Sequence, residues 1–417
     1  MSVEALAARL VGGEDRLETD RWLALVSVLL VGAGLVMVLS SSQALAYLNY
    51  HFPLYYFVRQ VAFAAVGFGL MAVLRQVDYH ALRRYAPAAA LVTMVLMALV
   101  LVPGVGIRVN GARRWFSLGP LGSFQPSELA KLTLLVFMAR WVDKRGERLK
   151  SFAHGFLPFA ILLAVPLGLL MLQRDLGTAL IVCAIYCAVF FAGGGQARYM
   201  ALALLLLVAA FALFTLLESY RAQRLAVFLD PFKDPLGAGF QSRQAILALG
   251  SGGLTGVGLG HSVQKYLWLP EAHTDFIFAI VGEETGLLGT TALLAAFVLL
   301  AMRGYRTAMR ASDRFGMTLA AGVTTWITLQ ALLNMGTVTD TLPITGVTLP
   351  FISYGGTSLA VTMAAVGVLL SVAAHGGEPR AASRRTDATA DLGRRDRRTR
   401  AARPRGGAGL SRRAPGR

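Results

Sequence analysis

Cysteine is nearly absent from this sequence. Its 417 residues include two cysteines, Cys183 and Cys187, which lie four apart on one hydrophobic segment. Two positions within one continuous helix rarely meet the geometry of a disulfide, so we interpret both as small apolar residues in a helix interface. We also expect no cleavable signal peptide, because residues 1–21 are polar and charged and no small-residue cleavage site follows the first apolar segment.

Charged residues are scarce as well. They make up 15% of the chain, whereas soluble domains carry about a quarter, which argues against a soluble protein. Hydrophobic residues make up 55%, and the mean hydropathy is +0.58. This composition predicts an all-α polytopic membrane protein, a single bundle of about ten helices with about twenty residues each. The apolar segments lie near 22–40, 56–74, 86–103, 127–142, 155–172, 176–194, 199–217, 275–302, 316–336 and 357–375.

Arginine and lysine are distributed unevenly between the predicted loops. Ten spans put both termini on one side of the membrane, and the loops of that side are basic. The positive-inside rule makes that side the cytoplasm. The longest connection, 218–274 between helices 7 and 8, is then extracytoplasmic. The basic loop residues are Arg75, Arg83, Arg84, Lys144, Arg145, Arg148, Lys150, Arg198, Arg303, Arg306, Arg310 and Arg314.

Composition divides the chain into three parts. Residues 1–21 form a cytoplasmic N-terminal segment, 22–375 a transmembrane domain, and 376–417 a basic cytoplasmic tail. Thirteen arginines and four acids lie between Glu378 and Arg417, so the tail carries much of the formal charge of +17. It lacks apolar periodicity, and we predict that it is disordered. The tail could bind anionic lipid headgroups or serve only as a solvated topology signal.

Several arginines depart from the positive-inside rule because they lie in outer loops. Guanidinium groups bind phosphate oxygens in a bidentate manner, so the group predicts an outward-facing site for an anionic ligand. Each arginine taken singly could instead bind a phospholipid headgroup. The outward arginines are Arg59, Arg108, Arg113, Arg114, Arg221 and Arg224.

The predicted fourth span opens with a buried pair of opposite charges. Glu128 and Lys131 are three residues apart and therefore share one helix face. Pairing makes the burial of both charges tolerable. The pair could be a helix-locking ion pair, or it could line a cavity and orient a neighbouring carboxylate.

That neighbouring carboxylate is Asp275, at the predicted start of the eighth span. It follows Pro270 and a polar stretch, and the positive end of the helix dipole would hold it ionised. It could be a first-turn acid with a purely structural role, or a catalytic carboxylate at the membrane edge. Glu283 and Glu284 lie about two turns further along and look structural.

Two glycine-rich segments flank this region. The run from Gly250 to Gly260 lacks the strand–turn–helix context of a nucleotide-binding loop. The segment 334–358 holds two prolines and four glycines and cannot form one continuous helix. Irregular backbone at membrane depth must be buried in protein or face water. We therefore predict an outer re-entrant segment that closes one side of the cavity.

Ordered motifs across about residues 20–375 make the chain resemble the SEDS (shape, elongation, division and sporulation) membrane glycosyltransferases. His273, the Lys265-Tyr-Leu-Trp268 approach and Leu39-Ser-Ser-Ser42 favour the FtsW-like cell-division branch over the RodA-like elongation branch. One departure is Arg174, which stands where the family usually has proline. The motifs are Asn110-Gly-Ala-Arg-Arg-Trp115, Gln125-Pro-Ser-Glu128 with Lys131, Asp175-Leu-Gly-Thr178, Asp230-Pro231 with Asp234-Pro235, Gln264 to Gly286, and Leu349-Pro-Phe-Ile-Ser-Tyr-Gly-Gly356.

The resemblance implies polymerisation of lipid II into glycan strands on the outer face of the cytoplasmic membrane. Asp275 falls on the family's essential aspartate and is our candidate general base, and Glu128 with Lys131 falls on its intramembrane polar pair. Inversion of an α-linked donor needs one base on the acceptor hydroxyl. No residue cluster resembles a closed metal site, although a divalent cation (Mg or Mn) could help to offset the leaving-group charge. Candidate substrate-binding residues are Arg59, Arg114, Arg221, Arg224, Lys265 and His273.

Two other functions fit a ten-helix bundle of this kind. A lipid II flippase would expose its polar cavity alternately to both faces of the membrane, and a non-catalytic division scaffold would not depend on Asp275. The resemblance implies a class B penicillin-binding transpeptidase and other division proteins as partners, in the inner membrane at the septum. Membrane lipids are expected contacts, and no nucleic acid is expected.

Overall fold

The structure is a computed structural model, and it describes residues 16–109, 111–119, 122–203, 205 and 239–375. The predicted disordered tail 376–417, residues 1–15 and most of the predicted seventh span lie outside the described residues, as does 206–238. The helices are α1 (Arg16–Tyr50), α2 (Tyr55–Gln76), α3 (Tyr79–Leu99), α4 (Pro126–Arg145), α5 (Leu157–Leu172), α6 (Leu176–Ala192), α7 (Phe240–Gly252), α8 (Ile277–Arg310), α9 (Arg314–Val338) and α10 (Gly356–His375).

The predicted class of fold, an all-α polytopic membrane protein, is confirmed. Within the described ranges, seven helices are long and apolar enough to cross a membrane: α1, α2, α3, α8, α9, α10, and α5 together with the π-helical turn Phe152–Phe156. The apolar α6 is shorter, at 17 residues. The α4 helix occupies the predicted fourth span but carries charges at both ends. The total of ten spans stays a prediction.

Contacts between the loops place the connections between helices in two groups, one at each end of the bundle, as alternating membrane spans require. At one end, Arg114 on an outer loop donates from Nε to the Gln173 carbonyl (3.0 Å). At the other end, the Tyr79 hydroxyl donates to Asp313 (2.7 Å) and Ser371 to the Val77 carbonyl (2.6 Å). The first end carries the predicted outer loops and the second the predicted cytoplasmic ones.

The last helix, α10, forms the centre of the bundle. Its residues are buried along almost the whole length, and it packs against α2 over most of that length. Small residues allow this close approach: a Cβ on Gly67 of α2 would lie 2.5 Å from the Met363 sulfur, and one on Gly367 would lie 2.8 Å from the Met71 carbonyl oxygen.

A small antiparallel sheet, which the sequence analysis did not predict, lies at the end of the bundle that carries the predicted outer loops. Its strands are β1 (Ile107–Val109), β2 (Ala112–Ser117) and β3 (Ser123–Phe124), in the order β1-β2-β3. The dipeptide Asn110-Gly111 favours a tight hairpin turn and could have predicted it, and Gly111 has a φ of +78°. The sheet contacts α10 where Thr357 donates to the Ser123 carbonyl (3.2 Å).

Part of the connection before α8 packs beside a break in α8, and the outer placement of this connection stays a prediction. Gly286 interrupts this helix with φ 66° and ψ −163°, about 14 Å along the axis from Ile277. The amides of Leu287 and Leu288 then donate to the carbonyls of Gly253 (2.9 Å) and Leu254 (3.1 Å). The glycine-rich run therefore supplies the hydrogen bonds that the broken helix lacks.

Candidate active site

Asp275 lies just outside α8, two residues before its first helical residue. The N-cap of α8 is Phe276, and the first turn of the helix contains no acid. The structure therefore corrects the first-turn interpretation, since Asp275 belongs to the preceding turn. It is partly exposed, which suits a carboxylate that must meet a ligand.

Three consecutive backbone carbonyls hold this turn in place. The His273 carbonyl accepts from the Tyr354 amide (2.9 Å), the Thr274 carbonyl from the Ser353 hydroxyl (2.6 Å), and the Asp275 carbonyl from the Asn334 side-chain amide (2.7 Å). The turn that carries Asp275 is thus fixed by the segment before α10 and by α9.

The segment between α9 and α10 is non-helical and packs back against the bundle, in agreement with the predicted re-entrant segment. On α2, Gln60 is fully buried and grips this segment from both sides: its Nε2 donates to the Ser353 carbonyl (3.0 Å) and its Oε1 accepts from the Gly355 amide (3.2 Å). A Cβ on Gly346 would lie 3.5 Å from Asp275 Oδ2. The carboxylate therefore lies directly against this segment.

Glu128 and Lys131 form the predicted ion pair, with 2.8 Å between Lys131 Nζ and Glu128 Oε2. Both side chains are buried, and Lys131 is 1% exposed. Lys131 Nζ also donates to Gln330 Oε1 on α9 (2.9 Å) and lies 5.1 Å from the centre of the Trp326 ring. These contacts link the pair to α9.

Arg59 and His273 are brought to the same end of the bundle as Asp275. The Arg59 guanidinium stacks 4.3 Å above the Tyr55 ring and interacts with the Tyr354 hydroxyl. His273 lies between Tyr56 and Tyr354, with ring centres 4.8 and 5.6 Å away. Burial lowers the pKa of His273 below its ordinary value, against an opposing effect of Glu271. The imidazole is therefore neutral at pH 7, whereas the Arg59 guanidinium, held by two tyrosines at this end of the bundle, is a cation.

Lys265 forms a buried ion pair, and its predicted role as a ligand residue stays a prediction. Its Nζ lies 3.1 Å from Glu284 Oε1 and donates to the Gly260 carbonyl (2.6 Å) and the Ser40 hydroxyl (3.2 Å). The side chain is 5% exposed. A cation so enclosed satisfies an internal carboxylate, and this contact supports the structural interpretation of Glu284.

The contacts of Glu283 support a structural interpretation as well. Its carboxylate accepts from the Ser262 hydroxyl and from the amides of Val263 (2.9 Å) and Gln264 (3.4 Å). Both acids of α8 therefore fasten the 260–265 segment to the helix, which explains polar residues beside a hydrophobic span.

Arg114 also works within the protein. Besides Gln173, its guanidinium donates to the Arg174 carbonyl and lies 3.9 Å from Asp175 Oδ1. Asp175 caps α6 by accepting from the Thr178 amide (3.2 Å) and accepts from Ser127 at the start of α4. Three of the sequence motifs thus meet at one corner, and Arg114 pins the turn between α5 and α6.

The conformation of Arg174 explains why proline is absent at this position. Its φ is +60°, whereas the proline ring fixes φ near −65°. The turn before Asp175 therefore has a backbone that proline cannot adopt.

Arg221 and Arg224 lie outside the described residues. In the ranges that the structure covers, no group of three or more His, Cys, Asp or Glu side chains could hold a metal ion. A resident divalent cation thus has no complete ligand set among the described residues.

Sequence reasoning missed Asn334 and Ser353, which hold the Asp275 turn. It also missed Gln60 and Gln330, which hold the segment before α10. A signal for two of them exists, because Gln330 and Asn334 are amides four residues apart in a helix whose other residues, after Arg314, are apolar or threonine. Polar side chains inside a predicted span are candidates for function by default.

The fold and this site define a class of protein: a multi-span helical membrane protein with a carboxylate site at one end of the bundle and a buried ion pair beneath it. Comparison with known proteins gives the family. The family model described as "Cell cycle protein", which covers FtsW, RodA and SpoVE, matches residues 20–377. The chain belongs to this family, and the resemblance inferred from its motifs is confirmed.

Individual relatives agree with this result. A Geobacter sulfurreducens protein named "Probable peptidoglycan glycosyltransferase FtsW" is 43% identical over 353 residues, which cover 85% of this chain and 94% of that protein. A solved structure described as "Structural coordination of polymerization and crosslinking by a peptidoglycan synthase complex" matches with a TM-score of 0.70 and 31% identity, over 86% of this chain and 98% of that one. The Thermus thermophilus rod shape determining protein RodA matches with a TM-score of 0.63 and 31% identity, over 86% and 97% of the two chains.

Proposed function

We propose that this protein is a peptidoglycan glycosyltransferase that polymerises lipid II into β-1,4 glycan strands. The observation that carries the proposal is the Asp275 carboxylate, held by three consecutive backbone hydrogen bonds beside the segment before α10. A base is effective only when it is fixed within hydrogen-bond reach of the proton that it removes. This rigid but accessible carboxylate meets that need.

In the proposed reaction Asp275 accepts the proton of the acceptor sugar's 4-hydroxyl group. The hydroxyl oxygen forms a bond to the anomeric carbon of the donor as the bond from that carbon to the diphosphate oxygen breaks. Attack from the opposite face converts the α-linkage into a β-linkage, so one base suffices and no covalent sugar–enzyme intermediate is needed. The undecaprenyl diphosphate leaves with the electron pair of the broken bond.

The leaving group needs positive charge, and Arg59 is the residue that we assign to it. Its guanidinium is held by Tyr55 and Tyr354 at the end of the bundle that carries Asp275. A fixed cation stabilises charge that develops on a phosphate oxygen more effectively than a mobile one. Arg114 and Lys265 are not assigned this role, because their donors are engaged by internal carbonyl and carboxylate groups.

A flippase is supported less well by this geometry. A transporter of lipid II must open its polar cavity to both faces of the membrane. Asp275, Arg59 and His273 all lie at the end that carries the predicted outer loops, whereas the described turns at the predicted cytoplasmic end are joined by contacts such as Tyr79 with Asp313. This grouping of the polar residues favours a reaction on one side of the membrane over transport between its two faces.

We further propose that the protein acts during septal synthesis, from the outer face of the cytoplasmic membrane, with a class B penicillin-binding transpeptidase and other division proteins. Relatives named FtsW and a similar chain from a peptidoglycan synthase complex support this assignment. An elongation role is the alternative, because RodA has a similar fold.

The test is polymerisation of labelled lipid II in proteoliposomes by the full-length protein with its transpeptidase. Wild type is expected to produce glycan polymer, and Asp275→Asn is expected to lose about 10²–10⁴-fold in rate, the usual contribution of a general base. Equal polymerisation by a folded Asp275→Asn variant would refute the assignment of the base. No polymer from either protein would shift support to a flippase or scaffold, and lipid II translocation would then be measured.

A further inference from the structure

One face of α9 carries a row of buried polar groups that the proposed reaction does not use directly. Trp326, Gln330 and Asn334 follow each other at intervals of four residues, so their side chains share a face. All three are at most 1% exposed. Gln330 Oε1 accepts from Lys131 Nζ (2.9 Å) and from Trp326 Nε1 (2.8 Å). We call these three residues the α9 ladder.

The other end of each amide holds the segment beside Asp275. Gln330 Nε2 donates to the Thr348 carbonyl (3.0 Å), and Asn334 Nδ2 donates to the Val347 carbonyl (2.7 Å). Asn334 Nδ2 also donates to the Asp275 carbonyl (2.7 Å). Two adjacent amides of the ladder thus hold two adjacent carbonyls of the segment, and one of them also holds the turn of the base.

Among the described residues, the buried surroundings of Asn334 offer no other hydrogen-bond donor for the carbonyls that its amide holds. Asn334 Oδ1 is buried and accepts no hydrogen bond, so the side chain acts only as a double donor. Buried carbonyls that lose their donors are strongly disfavoured. The Val347 and Asp275 backbones would therefore move if the amide were removed.

We propose that Asn334 and Gln330 are positioning residues for Asp275, and that the Glu128–Lys131 pair acts on the reaction through Gln330 and not by touching the substrate. The path runs from Lys131 to Gln330, from Gln330 to Thr348, and from the 346–348 backbone to the Asp275 carboxylate. The inference rests on the proposed function, because it assigns these residues a role in that reaction.

The experiment compares Asn334→Leu with wild type as the full-length chain with its transpeptidase in proteoliposomes. Leucine has the same number and branching of side-chain heavy atoms as asparagine and removes both donors. The matched control is Thr328→Val, also on α9, whose hydroxyl is buried without a hydrogen-bond partner. Initial rates are measured against lipid II concentration, lipid II affinity is measured in the Asp275→Asn background, and amide hydrogen exchange is followed in 273–276 and 345–355.

A displaced catalytic group reduces turnover by about 10- to 100-fold. Asn334→Leu is expected to lower kcat by that factor, to leave lipid II affinity nearly unchanged, and to accelerate exchange in 345–355, whereas Thr328→Val changes none of these. Gln330→Met is expected to lower kcat in the same way. Unchanged kcat, or an affinity loss equal to the loss of turnover, would overturn the positioning role.

The exchange measurement separates this inference from the proposed function. If wild type makes no polymer, the glycosyltransferase assignment fails, and the exchange rates alone decide whether Asn334 holds the segment. If wild type polymerises lipid II and Asn334→Leu exchanges like wild type, only the ladder is refuted.

Discussion

The replacement Lys265→Met tests whether this lysine stabilises the fold or binds a ligand. It removes an ammonium group from a site in which Glu284 is completely buried and Lys265 is 5% exposed. Methionine fills much of the same volume, so the main effect is an unpaired carboxylate in a low-dielectric site. Loss of one partner from a buried ion pair costs about 3–5 kcal/mol. Glu284 keeps its hydrogen bond from Ser40 (2.6 Å), so the expected loss of unfolding free energy lies toward the lower end of this range.

Thermal unfolding in detergent, with lipid II binding measured on the same samples, checks this expectation. Lys265→Met is expected to lower the unfolding midpoint clearly, and a second replacement, Glu284→Gln, is expected to restore much of the loss, because it removes the uncompensated charge. The matched control is Lys150→Met, which breaks the solvent-exposed pair with Glu147 (2.7 Å) and should not change the midpoint.

The result that would refute the structural role of Lys265 is a variant of unchanged stability that no longer binds lipid II. The ammonium would then have to leave Glu284 and reach the substrate, and Lys265 would return to the set of ligand residues.

Two further predictions concern the His273 turn and the break in α8. Burial keeps the pKa of His273 below its ordinary 6.5 in the folded protein, so the unfolded chain binds more protons just below that pH. The contribution of His273 to the free energy of unfolding should be fully present above pH 6.5 and decline as the pH falls below it. A His273→Phe variant that showed the same decline would contradict this prediction. Gly286→Ala should cost about 1–3 kcal/mol, because its Cβ would lie 2.4 Å from the Gly256 amide nitrogen. In the control variant Gly250→Ala, the added Cβ meets no atom within 4 Å. Equal unfolding midpoints for the two variants would contradict the predicted strain at Gly286.

The helices were largely predictable because the bilayer imposes a simple rule on the chain. A segment that crosses hydrocarbon must be apolar over about twenty residues and must satisfy its backbone hydrogen bonds internally. The predicted spans at 56–74, 316–336 and 357–375 accordingly coincide with α2, α9 and α10. The outer sheet and α7 were missed because they lie in connections, where no such rule applies.

The break in α8 shows a limit of the same rule. Segment 275–302 reads as one apolar span, yet Gly286 interrupts the helix. The interruption is tolerated because a distant segment, 253–258, supplies acceptors and donors to the freed backbone. A pattern within one span cannot reveal a partner about thirty residues earlier in the chain.

The candidate site divides in a similar way. Asp275, Arg59 and His273 were predicted from residue type and position, and the structure brings them to one end of the bundle. Lys265 and Arg114 were predicted for the same task on the same grounds, but they contact Glu284 and the turn before α6. Charge and side of the membrane are properties of a sequence position, whereas the partner of a charge depends on which helices pack together.

The sequence by itself thus determined the class of fold, the family and the carboxylate on which the proposed chemistry rests. Only the tertiary structure decided which polar residues hold that carboxylate and which cations are already neutralised inside the protein. The reason is that a span is selected by local hydrophobicity, while the bonds from Asn334 and Ser353 to the Asp275 turn join residues 59 and 79 positions apart. Such contacts exist only after the helices have packed.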